Sequence, residues 1–240
     1  MSEKRALIVA GGTGGHMFPA RAAAEALVAR GWRVRLVTDS RGSRHAGGFP
    51  GEAPEIIEAA TPFVKNPVQL AKNLARLARG VGAARRLVTR FDPDVVAGFG
   101  GYVAFPALTA ARLAGVPIVL HEQNAVLGRV NRVFAGSAAA VASGFERLDR
   151  APARAPRVVT GNPVRSAVLT ARETAYAPPE DDGEIRLLVI GGSLGARILS
   201  EGVPEAVAAL PDDLRARLKI AQQTRNESLQ TARRIYAGAG

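Results

Sequence analysis

Two hydrophobic patterns recur along the chain, short apolar runs and longer segments in which apolar residues have helical spacing. The apolar runs are rich in β-branched residues and predict strands, and most are followed by a segment that predicts a helix. Strands are predicted over residues 5–10, 33–38, 94–98, 117–121 and 138–142, and helices over residues 18–30, 66–90 and 102–114. Strands that alternate with helices are typical of a parallel sheet covered on both faces. The pattern therefore predicts a doubly wound α/β domain.

A change in composition interrupts this pattern between residues 149 and 183, where proline, alanine and charged residues accumulate. Such a stretch is typical of a linker. After it, IRLLVIGGSLGARILSEGV repeats the order of apolar strand, glycine turn and helix, and residues 218–222 predict a further strand. Residues 184–240 hold too few strands to bury both faces of a sheet. We expect a complete Rossmann-like domain over residues 1–160, a linker over 161–183 and part of a second Rossmann-like domain over 184–240.

The composition narrows the classes of protein to consider. The 240 residues include no cysteine, which excludes disulfides and thiolate metal ligands, and they carry a formal net charge of +11. No apolar run approaches the roughly 18 residues that span a bilayer, and the run before the first glycine loop is too short for a signal sequence. We therefore expect a cytoplasmic protein. Its basic surface would attract polyanions such as nucleic acid, anionic lipid or phosphorylated substrates.

Much of the positive charge lies in one predicted helix, since no acidic residue occurs from residue 61 to residue 91. The basic residues of this stretch are Lys65, Lys72, Arg76, Arg79, Arg85, Arg86 and Arg90. An apolar face with helical spacing is predicted from Leu70, Leu74, Leu77 and Val81. A basic amphipathic helix is typical of a membrane-surface segment, and equally of a core-packed helix with a solvated basic face.

Candidate chemistry lies in the loops after the predicted strands, because ligands of doubly wound sheets bind beyond the carboxyl ends of the strands. These loops read GGTGGH, TDSRGS, GFGGY and HEQN. The glycines of the first loop allow a phosphate to approach the start of a helix closely. His16 lies at that helix start, where the helix dipole disfavours an imidazolium and a neutral ring accepts a proton. His16 is therefore either a catalytic base or a histidine that caps the helix.

Two further patterns in the sequence each allow more than one interpretation of function. Met17 stands where a dinucleotide-binding fingerprint has its third glycine, but Asp39 at the end of the second strand could bind a ribose. A nucleotide-dependent oxidoreductase therefore remains an alternative. Asp92 and Asp94 of FDPDVV precede a strand, at the end of the sheet opposite the expected site, where aspartates are typical of a turn. Since no other cluster has the spacing of metal ligands, we expect no bound metal.

Four motifs together resemble the MurG family of bacterial peptidoglycan synthesis. They are GGTGGHMFPA, GFGGYVAFPALTAARLAGVPIVLHEQNAVLGRVNR, GNPVR and GGSLGARILS, in the order and near the spacing of the family. The resemblance runs from Ala6 to the end of the chain, and it implies a GT-B fold and an inverting glycosyltransferase that uses no cofactor. The implied reaction transfers N-acetylglucosamine from UDP-N-acetylglucosamine to the 4-hydroxyl of the muramoyl sugar of lipid I, which gives lipid II.

The resemblance also implies roles for individual residues. His16 is the candidate base and Glu122 the fallback base. The residues assigned to the UDP-N-acetylglucosamine donor are Thr13, Gly14, Gly15, Asn124, Arg165 and Ser193. The residues assigned to the acceptor diphosphate are Gly14, Gly15, Gly101 and Tyr102. Asn124 is placed with Glu122 towards the acceptor. Because no metal is implied, Arg165 and the second glycine-bearing helix start are assigned to the charge of the departing UDP.

The family works on the cytoplasmic face of the bacterial membrane, so the resemblance implies a peripheral enzyme. Its implied partners are the donor, lipid I and an anionic membrane surface that binds the basic helix, with no nucleic acid. Family members continue past the point where this chain stops, and that part contacts uracil, ribose and the transferred sugar. We therefore expect little transferase activity from the chain alone. The alternative is a non-catalytic acceptor-lobe fragment that binds lipid I or partner proteins.

Overall fold

The computed structural model describes residues 3–192 and 195–239, and the chain divides into two compact units. The first unit ends at Glu173 and the second begins at Thr174. Each unit has a sheet of its own. Within the described ranges, every helix is too short or too polar to cross a membrane.

A sheet of seven parallel strands forms the first unit. The strands are β1 (Arg5–Val9), β2 (Arg33–Thr38), β3 (Glu52–Ile56), β4 (Val95–Gly98), β5 (Ile118–Glu122), β6 (Ala140–Ser143) and β7 (Arg157–Val159). The helices are α1 (Gly14–Val28), α2 (Pro67–Phe91), α3 (Ala104–Leu113), α4 (Arg129–Ala135) and α5 (Ser166–Ala171). The strand order β3-β2-β1-β4-β5-β6-β7 reverses direction between β1 and β4, as in doubly wound folds. The predicted α/β fold class is confirmed.

The side chains of β1 divide the core between the two faces of this sheet. Leu7 and Val9 belong to the apolar cluster formed with α2, α3 and α4, whereas Ala6 and Ile8 belong to the cluster formed with α1. All four are at most 2% exposed. Because helices cover both faces, the strand is apolar at every position from Ala6 to Val9 instead of alternating, which is why it could be predicted.

Four elements of the first unit were missed, the strands β3 and β7 and the short helices α4 and α5. The edge strand β3 has the sequence EAPEI. Its acidic residues and proline interrupt the apolar run from which a strand is predicted. Glu52 of β3 binds Arg33 and Arg35 of β2, so side-chain ion pairs accompany this strand pairing. The opposite edge strand, β7, has only three residues, all exposed, and lies at the end of the predicted domain over residues 1–160, in a stretch rich in proline, alanine and charge where no strand was predicted. The short helix α4 also went unpredicted.

The predicted basic amphipathic helix is confirmed as α2, which Asn66 caps by accepting a hydrogen bond from the Gln69 N–H at 3.0 Å. One part of the apolar face of α2 is buried and another part is exposed: Leu77 lies in the core, whereas Leu74 is 52% exposed. Acidic side chains outside the helix bind three of its arginines: Arg76 and Arg79 pair with Glu58, and Arg90 pairs with Glu55. Much of α2 is therefore a core-packed helix, and its first turns keep an exposed apolar surface.

Asp92 and Asp94 form the turn between α2 and β4, as their pattern predicted. Asp92 follows the last residue of α2 with a left-handed backbone, φ 51°, which aspartate tolerates better than most residues. The carboxylate of Asp94 accepts a hydrogen bond from the backbone N–H of Arg5 at 2.7 Å. Both residues thus lie at the amino ends of β1 and β4.

The second unit contains β8 (Ile185–Val189) and β9 (Leu218–Gln222), which pair in parallel. Its helices are α6 (Arg197–Ala208), α7 (Asp212–Arg215) and α8 (Leu229–Ala239). The predicted strand over residues 218–222 is confirmed by β9. Leu188 and Ile190 are more than half exposed, so this small sheet leaves apolar side chains in contact with solvent, as expected from so few strands.

Candidate active site

The loops that follow β1, β4 and β5 meet at the carboxyl ends of these strands, around a cavity of about 330 Å³. The start of α4 and one residue of the loop after β2 complete its lining. The lining side chains include Thr13, His16, Arg41, Tyr102, Asn124 and Asn131. The cavity lies where the strand order reverses, which is the usual ligand position in a doubly wound sheet.

Asp39, at the end of β2, holds the first glycine loop in place. Its Oδ1 atom accepts hydrogen bonds from the backbone N–H groups of Gly12, at 3.2 Å, and Gly42, at 2.8 Å. The residue is buried, and Arg41 is its ion-pair partner. These contacts occupy the carboxylate that the oxidoreductase alternative required for a ribose.

The glycine loops after β1 and β4 lie against each other. A Cβ atom on Gly101 would be 2.7 Å from the carbonyl oxygen of Gly11, and Gly101 has a φ of +83°. Gly12 has the same φ. Both the backbone conformation and the close approach therefore require glycine at position 101. The contact brings the GGTGGH and GFGGY motifs to one wall of the cavity.

His16 lies in the first turn of α1, which begins at Gly14 after the N-cap residue Thr13. Its Nδ1 atom is 2.8 Å from the carbonyl oxygen of Phe99, at the end of β4. A carbonyl oxygen only accepts hydrogen bonds, so this contact places the proton of a neutral ring on Nδ1. Nε2 then carries the lone pair of a ring that lines the cavity.

The electrostatic surroundings keep this ring neutral. Burial lowers the pKa of the His16 imidazole below its usual value, and this effect exceeds the opposing effects of the Phe99 hydrogen bond and the negative charge of Glu122. At neutral pH His16 is therefore an uncharged proton acceptor. The nearby carboxylate of Glu122 would partly offset the cost of burial for an imidazolium that forms only briefly.

Glu122, the last residue of β5, is almost completely buried and joins the HEQN loop to α4. Its two carboxylate oxygens accept four hydrogen bonds, from the backbone N–H groups of Asn124 and Gly128 and from the side-chain amides of Asn124 and Asn131. A carboxylate that serves four donors is part of the loop structure. This geometry argues against Glu122 as the base and leaves His16 as the stronger candidate.

The structure brings together most of the residues that the sequence assigned to the site. Thr13, His16, Gly101, Tyr102, Glu122 and Asn124 all line the cavity. Gly14 and Gly15 are the first residues of α1 beside it, and they contribute the start of the helix. Arg165 precedes α5, and its guanidinium carbon lies 4.1 Å from the centre of the Phe18 ring. Ser193 lies outside the described residues.

Several lining residues were missed. Arg41, Arg129 and Asn131 line the cavity although none was singled out. Arg41 stands in the TDSRGS loop, whose position after a predicted strand could have revealed it. The other two belong to α4, which the sequence pattern did not predict. Within the two described ranges, no group of three or more histidine, aspartate or glutamate side chains is arranged to hold a metal ion.

The sheet, the glycine loops and the placement of the cavity define a doubly wound α/β domain with a candidate ligand site where the strand order reverses. Residues 6–143 match the Glycosyltransferase family 28 N-terminal domain. The chain belongs to glycosyltransferase family 28. This assignment replaces the oxidoreductase alternative.

Individual relatives confirm the resemblance to MurG. A UDP-N-acetylglucosamine--N-acetylmuramyl-(pentapeptide) pyrophosphoryl-undecaprenol N-acetylglucosamine transferase from Maricaulis maris is 60% identical, over 100% of this chain and 66% of its own length. A protein of the same description from Phenylobacterium zucineum is 51% identical, over 98% of this chain and 65% of its own length. The crystal structure of MurG from Acinetobacter baumannii matches with a TM-score of 0.68 and 30% identity, over 99% of this chain and 63% of that chain. The chain thus spans just under two thirds of the curated relatives that it matches.

Proposed function

We propose that this chain is the acceptor-side part of an inverting glycosyltransferase. The proposed enzyme moves N-acetylglucosamine from UDP-N-acetylglucosamine to the muramoyl sugar of lipid I, a polyprenyl diphosphate-linked muramoyl pentapeptide, and forms lipid II. The descriptions of the relatives at 60% and 51% identity support the choice of substrates. The observation that carries the proposal is His16, whose lowered pKa keeps the ring neutral, whose Nδ1 contacts the carbonyl oxygen of Phe99, and which lines the cavity at the carboxyl ends of β1, β4 and β5.

The reaction needs a base for the acceptor hydroxyl. In the proposed step, Nε2 of His16 accepts the proton of the 4-hydroxyl while its oxygen bonds to the anomeric carbon of N-acetylglucosamine. The bond from that carbon to the β-phosphate oxygen breaks, and UDP leaves with the electron pair. Attack from the face opposite the leaving group inverts the anomeric carbon. The buried negative charge of Glu122 would stabilise the imidazolium that results.

The acceptor diphosphate needs donors and positive charge. Gly14 and Gly15 supply the amide end of α1, and the adjacent loop at Gly101 and Tyr102 lines the same cavity. Arg41 brings a mobile positive charge to the cavity, since its side chain is 58% exposed and its pair with Asp39 is as long as 3.5 Å. We assign Arg165 to the donor diphosphate, together with Thr13, Asn124 and Ser193.

The experiment uses residues 1–240 fused to the remaining C-terminal third of the Maricaulis maris relative, because the chain alone spans 66% of that protein. We expect the fusion to transfer N-acetylglucosamine to a short-chain lipid I analogue. His16→Ala should lower kcat about a hundredfold or more and leave the KM for the donor nearly unchanged. A folded fusion without transfer contradicts the proposal. Equal losses in kcat and in donor affinity would remove His16 from the role of base.

A binding comparison on the chain alone separates the enzyme from a fragment that only binds. An acceptor lobe should bind the lipid I analogue with a single saturable site, whereas UDP-N-acetylglucosamine affinity in the range usual for substrates would show a working donor site as well. Calorimetric titration with each ligand gives both results. Binding of neither ligand would contradict the acceptor-side assignment.

We also propose that the protein is peripheral, on the cytoplasmic face of the bacterial membrane. The first turns of α2 and the preceding loop expose Phe63 at 42%, Val68 at 64% and Leu74 at 52%. Lys65 and Lys72 are exposed in the same stretch. Since α2 runs antiparallel to the strands, this surface lies at the end of the sheet that holds the cavity. Such a surface would bind anionic lipid and bring the cavity towards a lipid-linked acceptor.

Flotation with vesicles tests the membrane proposal. The chain should float with vesicles rich in anionic phosphatidylglycerol at low salt, and the double variant Val68→Ser with Leu74→Ser should float much less. Leu113→Ser is the matched control, because Leu113 is 64% exposed but ends α3 near the amino ends of the strands. No flotation of the unchanged chain, or equal losses in both variants, would overturn the proposal.

A further inference from the structure

Gln123, the third residue of HEQN, touches the ring nitrogen of His16 that already contacts Phe99. The terminal amide nitrogen of Gln123 lies 2.6 Å from Nδ1 of His16, while the carbonyl oxygen of Phe99 lies 2.8 Å from the same atom. The amide oxygen of Gln123 is buried and has no hydrogen-bond partner among the residues that the structure describes. The amide nitrogen of Gln123 therefore competes with the Phe99 carbonyl for Nδ1 of His16. Its amide oxygen is left without a hydrogen-bond partner among the described residues.

The conflict follows from the valence of Nδ1. In a neutral imidazole this nitrogen carries either a proton or a lone pair. The bond to the Phe99 carbonyl requires the proton, whereas a bond from an amide N–H of Gln123 requires the lone pair. Both contacts can be satisfied only if the amide of Gln123 turns by half a rotation, so that its oxygen faces Nδ1. The same rotation gives the buried amide oxygen a donor.

We propose that Gln123 is a positioning residue that turns its amide oxygen towards Nδ1–H of His16, shares this proton with Phe99 and keeps the lone pair on Nε2. The tautomer of His16 is then set by two acceptors on neighbouring loops. The use of that lone pair as a base rests on the proposed function, but the tautomer itself does not. Nothing in the sequence separated Gln123 from the other polar residues of HEQN.

The backbone of Gln123 is anchored from the other side. Its carbonyl oxygen accepts a hydrogen bond from the side-chain amide of Asn162 at 3.2 Å. Two positions earlier, Nε2 of His121 lies 3.3 Å from the carbonyl oxygen of Gly161, to which it donates. These two bonds tie the HEQN loop to the start of GNPVR. The side chain of Gln123 is therefore held against His16 from a loop with little freedom to withdraw.

The charged groups near His16 are few. Glu122 of β5 raises the pKa of the imidazole by its charge, while burial lowers it more. Arg41 and Arg129 line the same cavity and oppose an imidazolium. None of these groups hydrogen-bonds to Nδ1 in the described part of the chain. The choice between the two neutral tautomers is therefore left to Phe99 and Gln123.

Nuclear magnetic resonance of the 240-residue chain tests the tautomer directly, because long-range proton–nitrogen spectra distinguish protonated from unprotonated ring nitrogens. The chain has three histidines, so His16→Gln assigns the His16 signals by their loss. In the unchanged protein we expect the proton on Nδ1 and none on Nε2. Gln123→Met, which removes both polar atoms at similar length, should raise the ratio of the Nε2–H tautomer to the Nδ1–H tautomer about fivefold, the effect of one neutral hydrogen bond.

Two more variants sharpen the test. Gln123→Glu keeps an acceptor oxygen and adds a negative charge, so the proton should stay on Nδ1 and the pH midpoint of His16 should rise. Gln230→Met makes the same chemical change as Gln123→Met at an exposed position of α8 and should leave the His16 signals unchanged. If Gln123→Met does not fold, the position of the His16 proton in the unchanged protein and in Gln123→Glu still tests the inference.

The inference is overturned if His16 carries its proton on Nε2 in the unchanged protein, or if a folded Gln123→Met leaves its tautomer ratio unaltered. These outcomes are separable from failure of the proposed function. An Nδ1–H tautomer that depends on Gln123, together with a folded fusion that transfers no sugar, supports the positioning role and rejects the reaction. Sugar transfer that depends on His16, together with a tautomer ratio that Gln123→Met leaves unaltered, supports the reaction and rejects the positioning role.

Discussion

The Nδ1 atom of His16 lies 2.8 Å from the carbonyl oxygen of Phe99, which joins the first turn of α1 to the end of β4. The contact fixes a titratable ring between two loops that both line the cavity. The protonation of His16 is linked to the stability of the fold, because the buried ring gains charge at a desolvation cost that exceeds the opposing effect of the Phe99 hydrogen bond.

Stability should therefore decrease in mildly acidic solution. Burial lowers the pKa of both His16 and His121 in the folded chain, whereas in the unfolded chain each has its ordinary value of about 6.5. The unfolded state then binds more protons below that value, so folding stability is full above about pH 6.5 and is lost as the pH falls through the lower folded pKa.

Urea unfolding at pH 7.5 and pH 5.5 measures this effect. The free energy of unfolding should be lower at pH 5.5, and His16→Gln should reduce the difference between the two values. Equal stability at both pH values would show that the imidazoles are not held neutral by burial. Carboxylates do not confuse the comparison, since they titrate mainly below this window.

Gly100→Ala should displace His16. A Cβ atom at Gly100 would lie 2.8 Å from both Cε1 and Nδ1 of His16, and the backbone there has a φ of +97°. Gly115 has a φ of +71° with no neighbouring atom within 4 Å of an added Cβ, so Gly115→Ala is a control for backbone strain alone. Both variants should lose stability, by about 1 kcal/mol or more, but only Gly100→Ala should shift the His16 resonances. Identical His16 spectra would contradict the predicted contact.

Two glycines of α2 should respond to alanine in opposite directions. A Cβ atom at Gly80 would lie 2.2 Å from the carbonyl oxygen of Glu58, whereas at Gly82 the nearest atom is the tip of Arg86, 3.9 Å away. Gly80→Ala should destabilise the chain by roughly 1–3 kcal/mol through overpacking. Gly82→Ala should stabilise it by about 0.5–1 kcal/mol, because glycine is a poor helix former. Thermal unfolding measures both, and a stabilised Gly80→Ala would show that α2 does not pack on this carbonyl.

Glu122→Gln should weaken the HEQN loop and shift the titration of His16 further towards the neutral imidazole. Replacing one carboxylate oxygen by an amide group turns an acceptor into a donor facing other N–H groups, at a cost of roughly 1–3 kcal/mol. The lost charge should also lower the pKa of His16 further, since Glu122 raises it. Glu58→Gln removes a carboxylate that is 46% exposed and should leave the pKa of His16 unaltered. Unfolding curves and a His16 titration decide between these outcomes, and an unaltered titration in Glu122→Gln would contradict the electrostatic account.

The sequence predicted elements whose own residues determine them. Strand β1 could be found because the apolar run from Ala6 to Val9 describes it, and the glycine loops because close backbone contacts demand glycine. Strand β3 could not, because it exists through pairing with β2 and through ion pairs between Glu52 and two arginines. An edge strand of this kind is determined by its neighbour more than by its own apolar residues.

The candidate site could likewise be predicted only in part. The motifs named His16, Tyr102 and Asn124 through their positions after strands, and the cavity does contain them. The sequence could not show that Glu122 serves four N–H donors, because one of them belongs to the unpredicted helix α4. Nor could it show that Gln123 meets His16, since 107 positions separate the two residues and only the packing of β5 beside β4 brings them together.

The central claim, that the cavity beside His16 binds the diphosphate of a lipid-linked acceptor, is tested most directly by calorimetric titration of the chain with a short-chain lipid I analogue. Arg41 and Arg44 are both exposed, but of the two only Arg41 lines the cavity. We predict saturable binding at one site, weakened about tenfold in Arg41→Gln, the effect of one charged hydrogen bond, and unaltered in Arg44→Gln. Absence of binding, or equal affinity in the two variants, would contradict the claim.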